Sequence, residues 1–169
     1  MGLPDAPVTI IEYSDFQCSY CQQFALTVGK ELKAAYIDSG KVRLLFRFIN
    51  AYEESLQANQ AAASAAEQGK FWPYHDLLME QRASPKVNDL PIEKLEDLAQ
   101  QLGLDMTLFK ASLESGKHDS RIWQDDADGR ALGVTGTPTF FIDGIKMAGG
   151  RSLQDFQDII DPILQSLAK

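Results

Sequence analysis

The chain contains only two cysteines, Cys18 and Cys21, and they form a single Cys-x-x-Cys motif. This spacing places two sulfur atoms one helical turn apart, close enough to form a disulfide or to share a metal ion. Residues 8–13, before the motif, are apolar and β-branched, which is typical of a central strand buried on both faces. After the motif, apolar residues recur at helical spacing as far as Tyr36, and Ser39-Gly40 ends the predicted helix. The motif therefore lies on a strand-to-helix turn.

A helix N-terminus changes the chemistry of a thiol. Unpaired backbone N–H groups and the positive end of the helix dipole stabilise a thiolate at Cys18. We therefore expect the pKa of Cys18 to fall below the ~8.5 of a free thiol. Cys21 lies one turn further into the helix, so we expect it to be shielded and to resolve mixed disulfides. The alternative is that both cysteines only pack as small hydrophobic side chains.

Composition restricts the class of protein. The 169 residues carry 16 basic and 24 acidic side chains, a net charge of −8. Phosphate binding needs clustered lysine and arginine, so nucleic acid and anionic membranes are not expected partners. No apolar run approaches the ~18 residues of a membrane span. The first five residues also lack the features of a signal peptide. We expect either a cytosolic protein or one whose leader has been removed.

The rest of the chain predicts a helical block between two groups of strands. Residues 42–49 form a second strand and complete a parallel β-α-β unit. Asp143-Gly144 is a strong hairpin turn between strands at 139–142 and 145–148. The helices are predicted at 53–69, 71–82, about 92–102, 106–115 and 118–132. A loop is predicted at 83–91.

The final helix begins at a predicted capping box, Ser152–Asp155, and we expect Pro162 to bend or restart it at Asp161. The strands at both ends of the chain must share one sheet, because two strands alone are marginally stable. The sequence therefore predicts an α/β fold with an all-α insertion.

Several segments together resemble the DsbA family of thiol–disulfide oxidoreductases. They are the strand with Glu12, the Phe-Gln-Cys-Ser-Tyr-Cys motif at 16–21, Gln-Gly-Lys-Phe-Trp at 68–72, and Gly-Val-Thr-Gly-Thr-Pro-Thr-Phe at 133–140. The resemblance covers essentially the whole chain. It implies a thioredoxin fold with an inserted all-α helical domain. Residues 1–52 and 118–169 would form the thioredoxin-like domain, and 53–117 the inserted domain.

The resemblance also implies roles for individual residues. The catalytic residues would be Cys18, Cys21, Pro138 and Glu12, and the substrate-binding residues would be Thr137, Ser19 and Tyr20. The Thr137-Pro138 peptide bond would be cis and face Cys18, so that the Thr137 backbone pairs with an extended substrate segment. Without the resemblance, Pro138 would simply be the first residue of a strand.

Glu12 is a carboxyl group in an otherwise apolar strand. Burial is costly for a carboxylate, so we expect a raised pKa and a role in holding or passing protons. By resemblance, Glu12 would lie beneath the disulfide and exchange protons with Cys21. The alternative is an exposed carboxylate at the edge of the sheet.

Two differences from the best-known family member concern the redox potential. The dipeptide between the cysteines is Ser19-Tyr20 rather than Pro-His, which removes one donor that would favour the thiolate. Thr137 replaces a valine, as in isomerase-type members of the family. Both differences weaken the expectation of a strongly oxidising protein.

The predicted function is donation of the Cys18–Cys21 disulfide to folding secreted proteins. The disulfide is itself the redox group, so no organic cofactor or metal is expected. The expected partners are cysteine-containing protein substrates and, by resemblance, a DsbB-like membrane quinone reductase that reoxidises the pair. An oxidase needs an oxidising compartment, so we expect a periplasmic or extracytoplasmic monomer.

Alternatives remain at this point. Isomerases of the superfamily usually carry an N-terminal dimerisation region, whereas here the first strand begins within ten residues, which favours an oxidase over an isomerase or reductase. Glutathione- or thioether-handling isomerases of this fold typically lack a full Cys-x-x-Cys. A carrier of zinc or copper(I) through Cys18, Cys21 and a histidine is a different class, although no second ligand pair exists.

Other polar residues are not expected to be functional. His75 and His118 lie in predicted polar helical stretches, far along the chain from Cys18. Asp125, Asp126 and Asp128 lack the glycine and terminal glutamate of a calcium-binding loop, so we expect a solvated helix face.

Overall fold

A computed structural model describes residues 1–82, 90–149 and 152–167. Its four-stranded sheet has the order β2-β1-β3-β4. The strands are β1 (Val8–Ser14), β2 (Val42–Phe48), β3 (Thr139–Ile142) and β4 (Ile145–Ala148). Strand β1 runs parallel to β2 and antiparallel to β3, which pairs with β4. The strands from both ends of the chain therefore share one sheet, as predicted, and β1 lies inside it.

Helices surround this sheet. They are α1 (Ser19–Leu26), α2 (Val28–Leu32), α3 (Ser55–Glu67), α4 (Phe71–Arg82), α5 (Ile92–Gln101), α6 (Met106–Glu114), α7 (Asp119–Ala131) and α8 (Leu153–Leu167). A π-helical turn, Lys33–Ile37, continues α2. Most of the predicted loop at 83–91 lies outside the described residues. The α/β class with a helical insertion is confirmed, and the division at residues 53 and 118 stays a prediction.

The single helix predicted after the Cys-x-x-Cys motif is wrong, because the chain breaks at Thr27. This residue leaves the helical conformation, with φ −123° and ψ −92°. Its hydroxyl donates a hydrogen bond to the carbonyl oxygen of Gln23 at 2.7 Å. A threonine side chain that bonds backward in this way competes with regular helix geometry.

The predicted restart of the final helix at Asp161 is also wrong, since α8 continues through Pro162. Proline removes one hydrogen bond from a helix interior and normally kinks or ends it. Here Phe156 and Ile160 are fully buried against the sheet. The Tyr36 hydroxyl also donates to the Asp161 carboxylate at 2.6 Å. After the proline, the partly buried Ile163 and Leu164 pack against the same cluster, so tertiary packing holds the helix on both sides of Pro162.

The acidic cluster of α7 is not a solvated face, contrary to prediction. Asp125 accepts hydrogen bonds from the Arg47 guanidinium at 2.8 Å and from the Phe48 N–H at 3.4 Å. Asp126 accepts from the Asn50 N–H at 2.9 Å. Both aspartates are buried, and Asp128 is exposed. The buried pair fastens α7 to the end of β2, because free N–H groups beyond a strand need acceptors.

Two local turn predictions are confirmed. Asp143 and Gly144 both have positive φ, +45° and +87°, as a two-residue hairpin turn requires. At the start of α8, the Ser152 N–H donates to the Asp155 carboxylate at 2.9 Å, and the Asp155 N–H donates back to the Ser152 hydroxyl. This reciprocal pair is the predicted capping box.

The hydrophobic core holds the Cys-x-x-Cys motif from two sides. Phe16, Cys18 and Cys21 belong to one buried cluster with the helices of the insertion, including Tyr74 and Phe109. The opposite cluster joins α1, α2 and α8 to the sheet. The motif therefore lies where the helical insertion meets the sheet.

We predict that Gly129→Ala destabilises the protein. Alanine in a helix is normally favoured over glycine by about 0.5–1 kcal/mol. At this position, however, a Cβ atom would lie 2.8 Å from Tyr13 and 2.9 Å from Ile49. Overpacking costs about 1–3 kcal/mol, so the free energy of unfolding should fall by about 1–2 kcal/mol in urea denaturation.

Gly136→Ala is the matched control, since a Cβ there meets no heavy atom within 4 Å. Its free energy of unfolding should change by less than about 0.5 kcal/mol. Equal unfolding curves for the two variants would contradict the packing of α7 against β1.

Candidate active site

Cys18 lies at the N-cap of α1, as predicted, with its backbone in an extended conformation. Its side chain is only 4% exposed. The Sγ atom donates a hydrogen bond to the carbonyl oxygen of Thr137 at 3.3 Å. The pKa of Cys18 is lowered to about 6. The main cause is a hydrogen bond from the Cys21 thiol, and Thr137 and the first N–H groups of α1 lower the pKa further, whereas burial opposes these effects. A large fraction of Cys18 is therefore thiolate at neutral pH.

Cys21 has the opposite environment. It is fully buried on the first turn of α1. Burial is the main cause that raises the pKa of Cys21 far above its ordinary value, and the neighbouring Cys18 adds to the rise. The two sulfurs therefore differ in charge, since Cys18 favours the thiolate and Cys21 the thiol.

The Thr137-Pro138 peptide bond is cis, in agreement with the resemblance. This loop leads directly into β3. The Thr139 hydroxyl donates to the Gly136 carbonyl at 2.7 Å, and the Gly149 N–H donates to the Pro138 carbonyl at 2.8 Å. These bonds fix the loop, which places Thr137 against Cys18.

A cavity of about 580 Å³ adjoins the loop. Its lining includes Tyr20, Thr137 and Pro138, and none of the described residues that line it is charged. Tyr20 is 71% exposed. Ser19 is exposed at the start of α1 but does not line this cavity. The structure therefore brings three of the predicted residues together beside Cys18 and leaves Ser19 at the surface.

Glu12 is 1% exposed, so the alternative of an exposed edge carboxylate is wrong. It lies on β1 between Phe46 of β2 and Phe140 of β3. Burial raises the pKa of Glu12, and the nearby His75 and Ser14 partly oppose this rise. Its Oε1 atom has no hydrogen-bond partner among the described residues. This environment favours the protonated form of the Glu12 carboxyl group relative to a glutamate in water.

Sequence reasoning missed Ser14. It follows Glu12 by two residues, so both side chains point to the same face of β1. Its hydroxyl favours the charged forms of Glu12 and Cys21, and lowers the pKa of each. The period-two spacing in β1 was the available signal.

The expectation that His75 lies in a polar stretch away from the site is wrong. Its side chain is buried, 5% exposed, and it packs against Phe16, two residues before Cys18, with ring centroids 5.7 Å apart. The aromatic residues around it in α4 were the available signal. His118 instead pairs with Glu67, with 3.2 Å between Nε2 and Oε2.

Metal ligation was a separate possibility at the sequence level. Within the described ranges, no three side chains of histidine, cysteine, aspartate or glutamate lie together as a metal-binding group. None of the helices in those ranges has both the length and the apolar character to cross a bilayer.

We predict that Cys18 of the reduced protein reacts with iodoacetamide with an apparent pKa of about 6. The thiolate is the reactive form, so the rate should rise between pH 5 and 7 and then level off. Mass spectrometry should find the label on Cys18, with Cys21 unmodified under native conditions. A rate that rises only above pH 8 would contradict the assigned asymmetry.

A second prediction concerns Glu12→Gln. Burial raises the pKa of Glu12 in the folded state. A glutamate in the unfolded chain has a pKa of ~4.3, so above that pH the unfolded chain loses the proton first and the folded state becomes less stable. Glutamine resembles the protonated form. The variant should therefore melt at a higher temperature than the natural protein at pH 7, and the difference should vanish near pH 4. A lower melting temperature at pH 7 would contradict a neutral, buried Glu12.

Comparisons with known proteins agree with this geometry. A family model described as Thioredoxin matches residues 1–162. The solved structure of Wolbachia pipientis α-DsbA1 has a TM-score of 0.85 at 25% identity, and the match covers 98% of this chain and 90% of that one. A Bacillus anthracis protein named probable disulfide bond formation protein D is 29% identical, over 85% of this chain and 69% of its own length.

Longer proteins also contain a similar region. A Salinispora tropica protein named Na(+)/H(+) antiporter NhaA 3 is 35% identical over 90% of this chain. The chain spans only 22% of the length of that relative. The family model covers almost all of the chain, and the fold of the solved neighbour, including its helical insertion, is similar along 98% of this chain. The chain therefore belongs to the thioredoxin family, and its fold is similar to that of DsbA-like proteins.

Proposed function

We propose that this protein is a dithiol oxidase that donates the Cys18–Cys21 disulfide to folding secreted proteins. The observation that carries the proposal is the asymmetry of the two sulfurs. Cys18 has a pKa of about 6 and contacts the Thr137 carbonyl, whereas Cys21 is buried and favours the thiol. A stabilised Cys18 thiolate favours the reduced enzyme, which makes the disulfide form the better oxidant.

The reaction is a pair of thiol–disulfide exchanges. A substrate thiolate attacks Cys18 Sγ, the bond between Cys18 and Cys21 breaks, and Cys21 leaves as a thiolate that takes up a proton. A second substrate thiolate then attacks the substrate sulfur of the mixed disulfide. Cys18 leaves as a stabilised thiolate, and the substrate carries the new disulfide. Two electrons pass from substrate to enzyme, and no other redox group is required.

The uncharged cavity beside Cys18 is the proposed substrate site. Tyr20, Thr137 and Pro138 line it, and the exposed Ser19 is proposed to contact substrate outside it. An extended segment next to a substrate cysteine would pair with the Thr137 backbone, in the manner of an added strand. An uncharged lining favours substrates whose residues near the cysteine are apolar or hydroxylated.

The partners and location belong to the same proposal. We propose cysteine-containing proteins as substrates, a DsbB-like membrane quinone reductase as the oxidant, and a monomer in the periplasm or another extracytoplasmic compartment. The name of the Bacillus anthracis relative, a probable disulfide bond formation protein, supports this direction of exchange. A disulfide-donating enzyme needs an oxidising compartment.

A reductase or isomerase is the second candidate. Ser19 and Tyr20 supply no imidazole donor between the cysteines, and Thr137 precedes Pro138. Both features favour a less oxidising pair than that of a strong oxidase. The direction of exchange with a reduced protein distinguishes the two functions.

We predict that the oxidised protein reactivates reduced, unfolded ribonuclease A in the absence of oxygen. Cys18→Ser should abolish the reaction, because Cys18 Sγ is the atom attacked. Cys21→Ser, first converted to the mixed disulfide of Cys18 with glutathione, should instead exchange glutathione for the substrate thiolate and accumulate a mixed disulfide between Cys18 and the substrate, visible on a non-reducing gel. Reactivation by Cys18→Ser at the natural rate would contradict the proposal. Reduction of native ribonuclease disulfides by the dithiol form would favour the reductase.

A further inference from the structure

A small cavity lies beside Glu12. It has a volume of about 60 Å³, and its lining includes Glu12 of β1 and His75 of α4. Neither Glu12 Oε1 nor His75 Nε2 has a hydrogen-bond partner among the described residues. Buried polar atoms are nearly always paired, and two unpaired polar atoms that line one cavity are the partners that an ordered water needs. Glu12 and His75 therefore share a site that suits proton exchange.

His75 is oriented by its neighbours. Its Nδ1 lies 2.9 Å from the Asp76 carboxylate, which can only accept a hydrogen bond when ionised. Nδ1 therefore carries the proton in the neutral ring, and Nε2 is left as the acceptor. The rings of Phe46 and Trp72 hold the imidazole, with centroids 5.6 and 5.2 Å away. The Asp76 side chain is 62% exposed, so this pair joins the buried site to solvent.

The other end of the path is Cys21. When the disulfide opens, the Cys21 sulfur must gain a proton, since burial disfavours its thiolate. Ser14 lies near enough to both Glu12 and Cys21 for its hydroxyl to influence each of them. A proton held by Glu12 therefore has a route to Cys21 along one face of β1.

We propose that His75 is a positioning residue that reprotonates Glu12 with protons from the protein surface, through the cavity between the two side chains. This inference rests on the proposed thiol–disulfide exchange. During reduction of the enzyme, Glu12 gives its proton to the Cys21 thiolate by way of Ser14. Glu12 then takes a proton from the protonated imidazole of His75, which regains one from water beside Asp76. During reoxidation, the same proton leaves by the reverse steps.

Other charged groups face the same cavity. Lys30 and Lys33 line it from α2 and the π-helical turn, and Met1 lines it at the chain start. Lys33 is paired with Asp38 at 2.5 Å, and the Met1 ammonium donates to the Leu44 carbonyl at 2.8 Å. All of them stay in place in a His75 variant. A change in pH dependence in that variant therefore reports on His75.

The test compares His75→Gln with His118→Gln, which changes the only other histidine. The oxidised proteins are mixed with dithiothreitol between pH 5 and 9, and quenched by alkylation at short times. His75→Gln should slow reduction about tenfold, less than the ~10²–10⁴-fold of a group that transfers the proton directly, because His75 acts through Glu12. Its equilibrium constant with glutathione should stay within about twofold, because His75 acts on the rate. His118→Gln should match the natural protein in both measurements.

A second variant and a second measurement keep the proposal open to refutation. Asp76→Asn leaves the aromatic packing of His75 intact and should slow reduction about threefold, since the carboxylate orients the ring. In addition, ¹³C NMR should show a higher pKa for Glu12 in His75→Gln, because the positive charge of His75 favours the Glu12 carboxylate.

The outcomes separate the two proposals. A natural protein that shows no Cys18-dependent exchange would overturn the proposed function, while the NMR titration would still decide the link between Glu12 and His75. Equal reduction rates for His75→Gln and His118→Gln, or an unchanged Glu12 titration, would overturn only the proposal that His75 supplies protons to Glu12.

Discussion

The pairing of β1 with both of its neighbours is the constraint on which the site depends. Tyr13 lies opposite Thr139 in the antiparallel pair, which brings the cis-proline loop over the end of β1. Helix α1 starts five residues after β1 ends, so Cys18 meets the Thr137 carbonyl at 3.3 Å across 119 residues of sequence. The buried interior position of β1 also removes Glu12 and Ser14 from water. Strand β1 thus positions Cys18, Glu12 and the cis-proline loop.

The difference between the two sulfurs follows from this arrangement. The pKa of about 6 for Cys18, below the ordinary value of 9, means that the protein stabilises the thiolate preferentially. The largest contribution is the hydrogen bond from the Cys21 thiol, and the first N–H groups of α1 add to it. The oxidised protein has no thiolate to stabilise. The same contacts therefore favour reduction of the disulfide, which is the physical basis for an oxidising enzyme.

Local signals in the sequence predicted most of the fold and the residues nearest the sulfurs. The Asp143-Gly144 turn, the capping box and the Cys-x-x-Cys turn each depend on neighbours within a few positions. The errors concern residues whose environment is set by distant elements. Asp125 and Asp126 appeared solvated because Arg47 and the N–H groups after β2 lie more than 70 residues away. The sequence did not indicate that His75 lies near the site, because its contact with Phe16 forms only when α4 packs against the active-site motif.

The environment of Cys18 and Cys21 favours the dithiol form of the protein over the disulfide form. The most direct measurement is the equilibrium reduction potential of the Cys18–Cys21 pair, read by alkylation mass shift across a series of glutathione buffers. The account predicts a potential between about −120 and −180 mV, the range of disulfide-donating and isomerising proteins. A potential near −270 mV, as for a reductase, would contradict it.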